Sequence, residues 1–581
     1  PAAYAAGKEV SLAYSAVAGS FQRITATYPD GTTEVSDFDA RGNLLRSLDR
    51  RGVQTTFAYN KRRQRTSVAV WAGGPYTAGS PFTGTPPTGS AVSQVFYDDA
   101  GDVDYALDPR GNRTEYDFNA LGVPSSVAGS PGTDPVVSAA FAYNARNQLE
   151  TTTDAQGFRS AHHYDAAGQL WKLVDPLHRV VEFGFDANGR RTSVKSPLGH
   201  ITRETFDSRG LPTLVLDALN SAKADTDPDR KVIERGYDQD GVLTSLRNRR
   251  DQTYRFAFDA AARTQTSTTP LGKTTTVVRN TRGLIESFTE ASGQKVEITA
   301  FDDEGRPLTQ LVKRADGSVE STITSSYHAN GLLWTVSEGG RTTTRTYDSL
   351  NRLMTYSDGE GHTIGYEYDP AGNLTTLTYP DGRQVHYTYD TYNRLKTVWE
   401  DWSGTIRTTT FAYDSCGRLV YLARPDGTIR QQVFDEAGQL RQIIERSAAG
   451  ALFWYGAYRF DGDGRIDWRL TNPAPAPIEL PTATATYDAD NRLESWNNGG
   501  VANVVHDDDG NLTTGPGADG LATAFSFDAR NRLISAAGTT HRYNPDSLRV
   551  ETAGVDAATY TVDPGAGFSR VLTRTKDGTT T

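Results

Sequence analysis

The feature that most constrains this chain is a seven-residue phrase that returns at a fixed interval. It reads aromatic, Asp or Asn, two variable residues, Gly or Asn, one variable residue, then usually Leu. Clear copies are Phe38-Asp39-Ala40-Arg41-Gly42-Asn43-Leu44, Tyr164-Asp165-Ala166-Ala167-Gly168-Gln169-Leu170, Tyr368-Asp369-Pro370-Ala371-Gly372-Asn373-Leu374 and Tyr413-Asp414-Ser415-Cys416-Gly417-Arg418-Leu419. Others, some looser, begin at Tyr97, Tyr143, Phe185, Phe206, Tyr237, Phe258, Phe301, Tyr347, Tyr389, Phe434, Phe460, Tyr487 and Phe527. Tyr143, Tyr164, Phe185 and Phe206 follow one another at steps of 21, as do Tyr347, Tyr368 and Tyr389. A register held over so many copies means one supersecondary unit stacked on itself.

The phrase makes physical sense as a hairpin turn. The aromatic ends a strand, and the next Asp or Asn accepts backbone N–H bonds as an Asx turn. Gly or Asn three residues later takes the left-handed conformation of a short loop with a bulge. Leu begins the return strand. Halfway through each repeat lies a second turn, as in Tyr28-Pro29-Asp30-Gly31, Asp108-Pro109-Arg110-Gly111 and Pro380-Asp381-Gly382. Between turns the residues alternate, as in Gln384-Val385-His386-Tyr387-Thr388-Tyr389, which marks strands with two distinct faces. About twenty repeats then give roughly forty strands and a sheet on the order of 190 Å wide, which must curl. The expectation is an all-β chain of tandem hairpins, nearly without helix, forming a long spiralling antiparallel sheet and a hollow shell.

Composition agrees with surface in place of a solid core. Only 37% of the residues are hydrophobic, against 55 Gly and 28 Tyr. Net charge is -11 with no long Lys/Arg run, so nucleic acid is not an expected partner. No apolar run reaches the roughly 18–20 residues of a membrane span. Cys416 is the only cysteine, which excludes an intrachain disulfide. The chain opens on Pro1 and its one Met is Met354, so the start looks processed or truncated and the missing leader carries no information.

The array divides as an N-terminal flank (1–27), one continuous repeat array (28–550) and further repeat sequence (551–581) that stops before any C-terminal core domain. Loop insertions fall near 71–95, 123–138, 218–230 and 473–482.

No catalytic, cofactor or metal residue stands out. Asp recurs at one turn position, which favours turn capping over a carboxylate pair with divided pKa values. His162 and His163 are adjacent and point to opposite faces of a strand. Asp225-Thr226-Asp227-Pro228-Asp229 starts like a calcium loop but lacks its later Gly and Glu. Cys416 has no His nearby in sequence to activate it. The sequons at Asn112, Asn373 and Asn511 arise from the repeat itself. Trp171, Trp334, Trp399, Trp402, Trp454, Trp468 and Trp496 are candidate sugar-stacking platforms, with ladder packing the plainer role. His506 and Arg279 stand where other copies have the aromatic, and His178 where a Gly is usual.

The phrase at 21-residue spacing resembles the YD repeat of the RHS family, which includes bacterial Rhs polymorphic toxins, Tc toxin shell components, wall-associated proteins and teneurins. The resemblance covers about 28–550, with Phe38, Asp39, Gly42, Tyr164, Asp165, Gly168, Tyr368, Asp369, Gly372, Tyr413, Asp414 and Gly417 as its structural signature. It implies a β strip wound into a shell, enclosing in the toxin branch a C-terminal toxic cargo released by an aspartyl autoprotease. Asp563-Pro564-Gly565 is the only late Asp-Pro pair and lacks that core segment's context. The resulting expectation is a non-enzymatic shell or scaffold, bacterial, secreted or at the cell surface. Its partner would be its own cargo domain or a secretion-machinery component. The alternative is an adhesin that binds glycans through exposed aromatics.

Overall fold

The computed structural model describes residues 10–17, 21–72, 90–129, 138–223, 227, 230–261, 264–474, 484–497, 504–517, 522–565 and 570–581. Within them lie fifty-one strands and one helical turn, Ala218–Ser221. Forty strands, from Ser11–Val17 to Ile466–Asn472, form one sheet in which each strand pairs antiparallel with its successor. Thr484–Tyr487 pairs with Leu493–Asn497, and nine strands from Val505–His506 to Thr579–Thr580 form a third group. The expected insertions fall largely on residues outside this description, apart from the helical turn within 218–230.

Both turns of a repeat have one geometry. In the phrase turn, Asp39 N donates to Asn43 O and Gly42 N to Asp39 O. Asp39 Oδ1 accepts from the amides of Arg41 and Asn43, at 2.9 and 2.8 Å. In the half-repeat turn Asp49 does the same for Arg51 and Val53. The fourth residue is left-handed in each, Gly42 at φ +83° and Gly52 at +84°. This is a three-residue hairpin loop closed by a bulge. A further register shift falls just before the aromatic, between Asp37 and Phe38 in the first copy, and recurs through most phrase turns.

The strip has two unlike faces. Across one run Tyr356 pairs with Ile364, Tyr366 with Leu377, and Leu377 with Val385. The opposite face carries Thr355, Thr376, Thr388, Thr397 and Thr410, with Thr388 and Thr397 hydroxyls 2.6 Å apart. Tyr356, Ile364, Tyr366, Leu377 and Val385 form a buried cluster, against which Leu548, in the turn after Thr539–Tyr543, and Leu572 of the C-terminal strand Arg570–Lys576 pack.

The strip winds. The turn after its fourth strand (Leu44–Leu48) meets the turn after its twenty-ninth (Arg341–Tyr347), so one circuit takes 25 strands. Farther along, the turn after Leu170–Val174 meets that after Ile429–Phe434, 23 strands on. The turn after Leu353–Ser357 meets that after Thr539–Tyr543, only 17 strands on among the described residues. The spiral therefore narrows along the chain. At roughly 4.8 Å per strand the circuit shrinks from about 120 to about 82 Å, or about 38 to 26 Å across. Side chains reach only about 5 Å from a sheet, so walls at this separation enclose space that their own side chains do not fill.

Candidate functional site

Two edges of the strip carry its repeated chemistry, one lined by phrase turns and the other by half-repeat turns. Along the phrase edge, the second carboxylate oxygen of the Asp takes an Arg four residues on in several copies and an Asn in others, such as Asp39–Asn43 and Asp369–Asn373. Asp186–Arg190, Asp348–Arg352, Asp390–Arg394 and Asp414–Arg418 close at 2.6–2.7 Å. The same guanidiniums then cover the aromatic of the next repeat. Arg190 stands 5.0 Å from the Phe206 ring centroid, Arg352 4.8 Å from Tyr368 and Arg394 4.5 Å from Tyr413. Tyrosines complete the ladder by donating to the Leu carbonyl of the preceding phrase, as Tyr389 to Leu374 O at 2.8 Å and Tyr413 to Leu395 O at 2.9 Å. Each such cation–π contact contributes about 0.5–1 kcal/mol at an exposed site. The amides of Arg190 and Asn188 and the Arg190 guanidinium hold Asp186 below the usual carboxylate range.

The signature residues all lie on this edge. Asp165 caps Gln169, Asp369 caps Asn373 and Asp414 caps Arg418, each through an amide at 2.9 Å. Gly168, Gly372 and Gly417 are left-handed at φ +87°, +91° and +80°.

The two edges meet where one circuit lies on the next, and this seam is built from a repeated joint. Arg110, third in its half-repeat turn, donates to Tyr389 O (3.0 Å), Asp390 O (2.9 Å) and Asn393 Oδ1 (2.8 Å). Asn393 Nδ2 answers by donating to Asp108 Oδ2 at 2.8 Å. Arg51 makes the same joint with Tyr347 O and Asn351 Oδ1, and Asn351 returns a bond to Asp49. Arg250 repeats it with Tyr487 O, Asp488 O and Asn491 Oδ1. Asn351, Asn393 and Asn491 occupy the left-handed position of their turns. Burial would raise the Asp108 carboxyl, but the amides of Asn393 and Asn112 and two backbone N–H groups overcome it and hold it low.

Other copies solve the seam differently. Gln156 and Arg418 bridge one joint at 2.8 Å, and Cys416 Sγ donates to Asp154 Oδ2 at 3.3 Å beside it. Burial and Asp154 push that thiol's pKa up. His200 Nδ1 lies 2.6 Å from Asp463, and Ser292 donates to Asp509 through both N and Oγ at 2.7 Å. Burial, followed by Asp509, raises the Glu290 carboxyl. At the narrow end, fully buried Asp563 accepts from Tyr366 Oη at 2.6 Å, Gly565 N at 2.7 Å and Arg570 at 2.7 Å. Burial and the Asp563 carboxylate push the Tyr366 hydroxyl far above its ordinary range.

Sequence reasoning placed the turn residues and missed the seam. Arg110 reads as a turn residue and Cys416 as an incidental one, yet both join circuits about 260–280 residues apart. The signal available was the recurrence of Arg at the third half-repeat position together with Asn at the left-handed phrase position. Trp171, Trp334, Trp402 and Trp468 are 38–47% exposed, on separate strands or turns, while Trp399 stacks on His386 at 4.0 Å. Of the Asp225–Asp229 stretch only Asp227 lies among the described residues, and within these no group of His, Cys, Asp or Glu could hold a metal ion. No helix among them is long and apolar enough to cross a membrane.

A strip of capped hairpins wound edge on edge defines a shell-type repeat protein. The RHS repeat family matches residues 38–75 and 164–201, and the teneurin YD-shell family matches 280–466. The fold is shared with the TcdB2–TccC3 crystal structure, at 15% identity and TM-score 0.58 over 96% of this chain and 34% of that one. A Photorhabdus luminescens Tc holotoxin pore with a mutated TccC3 matches at 15% identity and TM-score 0.55, over 96% and 33%. This chain thus spans about a third of the length of those it matches. No curated protein matches the chain in sequence.

Proposed function

We propose that this chain is the wall of an encapsulating shell that encloses a C-terminal, toxin-like cargo lying outside the sequence given. The carrying observation is the narrowing wound strip, whose circuits are joined edge to edge and whose opposing walls, in the wide circuits, are spaced too far apart for their own side chains to fill. The phrase signature at Phe38, Asp39 and Gly42, and its counterparts to Gly417, serves in this reading only to build the wall, and no residue acts as a catalyst. The shell would be secreted or displayed outside a bacterial cell, in keeping with the toxin-complex structures that share its fold.

The test is protease protection of the natural full-length product, with intact mass recorded before and after denaturation. The expected result is a separate C-terminal fragment that survives digestion until the wall is denatured. A single uncut chain with nothing protected would overturn it. So would electron microscopy showing a filled rod.

A further inference from the structure

His328 takes the Asp position of its phrase, Tyr327-His328-Ala329-Asn330-Gly331, and closes the turn through its backbone N to Leu332 O. Its ring stacks on Trp334 at 5.5 Å and meets Tyr347 edge-on at 5.6 Å. Tyr347 is the residue whose carbonyl accepts Arg51 across the seam, and the Arg51 guanidinium stands 5.7 Å from the same ring. Asn330, two residues along the His328 turn, donates to Asn351 Oδ1 at 3.1 Å, the oxygen that also receives Arg51. The imidazole is therefore packed into the first complete joint of the seam. Its Nε2 is buried with no hydrogen-bond partner.

We propose that His328 is an acid-release element of the seam, whose protonation loosens the joint between Arg51 and Tyr347–Asn351. A proton on Nε2 creates a buried donor with nothing to accept it, beside a guanidinium of the same sign. The charged groups around it offer no compensation. Arg50 and Arg51 stand on the facing turn and Arg345 on the adjoining strand. Asp49 is committed to the amides of Arg51 and Val53 and to Asn351. Asp348 is committed to the amides of Leu350 and Arg352 and to the Arg352 guanidinium. Arg345 is already paired with Asp546 at 2.7 Å. Burial, then Arg51, holds the imidazole below the usual histidine value, offset in part by the Arg345 backbone.

The closed seam thus binds the proton less well than the open one. Its closure is fully present above the ordinary histidine value of 6.5 and declines as pH falls below it. The Arg110–Asn393 joint contains no histidine, and despite burial its Asp108 carboxyl is held below the usual carboxylate range by the amides of Asn393 and Asn112, so it keeps its charge across this interval. The device is a property of the wall alone and holds whatever the wall encloses.

Hydrogen–deuterium exchange of the whole chain at pH 7.5 and 5.5, corrected for intrinsic rates, tests it. In the wild type, peptides over residues 46–53 and 343–353 should lose protection at pH 5.5, by up to about tenfold, the ceiling one pH unit below an open-seam value of 6.5. The joint of Arg110 with Asn393, which has no histidine in it, should keep its protection. H328F should keep protection at both pH values. H328Q, similar in size and polar but untitratable here, does the same duty if Phe loosens the seam outright. Equal wild-type protection at both pH values, or an equal acid loss in the variants, overturns the proposal.

Discussion

Replacing Arg110 with Ala removes one seam joint and leaves the local turn intact. Arg110 makes three charge-assisted hydrogen bonds across the seam and lies 3.4 Å from Asp369, with its side chain 24% exposed. Bonds to charged groups contribute about 1.5–3 kcal/mol each when well buried. Two discounts apply. The carbonyls of Tyr389 and Asp390 can turn to water once the guanidinium is gone, and Asn393 Oδ1 keeps the Asn373 amide at 3.0 Å. The Asp369 contact is long and partly screened. The loss should be about 2–3 kcal/mol in local opening, a roughly 30- to 150-fold rise in the open population. Thermolysin digestion under native conditions reads this directly, because cleavage of a rapidly reclosing segment follows its open population. Cuts within 389–395 should accelerate by that factor in R110A. R63A is the control, since Arg63 bonds only along its own edge, to Arg41 O and Asn43 Oδ1, and is exposed. Acceleration below threefold in R110A, or equal acceleration at 389–395 in R63A, would refute the assignment of the seam to these joints.

Three further outcomes follow from the same geometry. G372A should cost about 1–2 kcal/mol through backbone strain at φ +91°, since nothing stands within 4 Å of the new methyl, while G372N should cost less; urea midpoints separate them. D563N should cost about 3 kcal/mol by weakening a fully buried acceptor of Tyr366 and Arg570, and should release the C-terminal strands to proteolysis before the rest of the wall. Burial, then Arg492, lowers His506, and burial, then Arg549, lowers His541; both should therefore withdraw stability as pH falls below 6.5, and H506F/H541F should flatten thermal melting between pH 7 and 5.

The turns were legible in the sequence because their chemistry is local. Asp39 caps residues two and four positions on, and Gly42 needs its left-handed backbone whatever the rest of the chain does. The period made the pairing of neighbours legible too, since each strand finds its successor across a short loop. The winding was not legible. Arg110 and Asn393 are 283 residues apart, and their meeting depends on how many strands complete a circuit. That number comes from twist and curvature summed over the whole sheet, which no single repeat encodes. The Arg in Asp108-Pro109-Arg110-Gly111 is a permissible turn residue with or without a partner, so its second role left no local trace. Cys416 shows the same limit, occupying a variable position along the chain and a fixed one across the seam.

The drop from 25 to 17 strands per circuit has a consequence for how the wall tolerates change. A cylinder can slide one circuit past the next by a whole repeat and look the same, so every joint would have to be specific to stop it. A cone has no such symmetry. Slipping by one repeat would alter the girth of every circuit above the slip, and the whole sheet would resist it. Alignment is then enforced globally, and single joints are free to drift, as Gln156 and Ser292 have where Arg stands elsewhere. A tapering wall can carry a loosely kept code at its seams and still close in only one way.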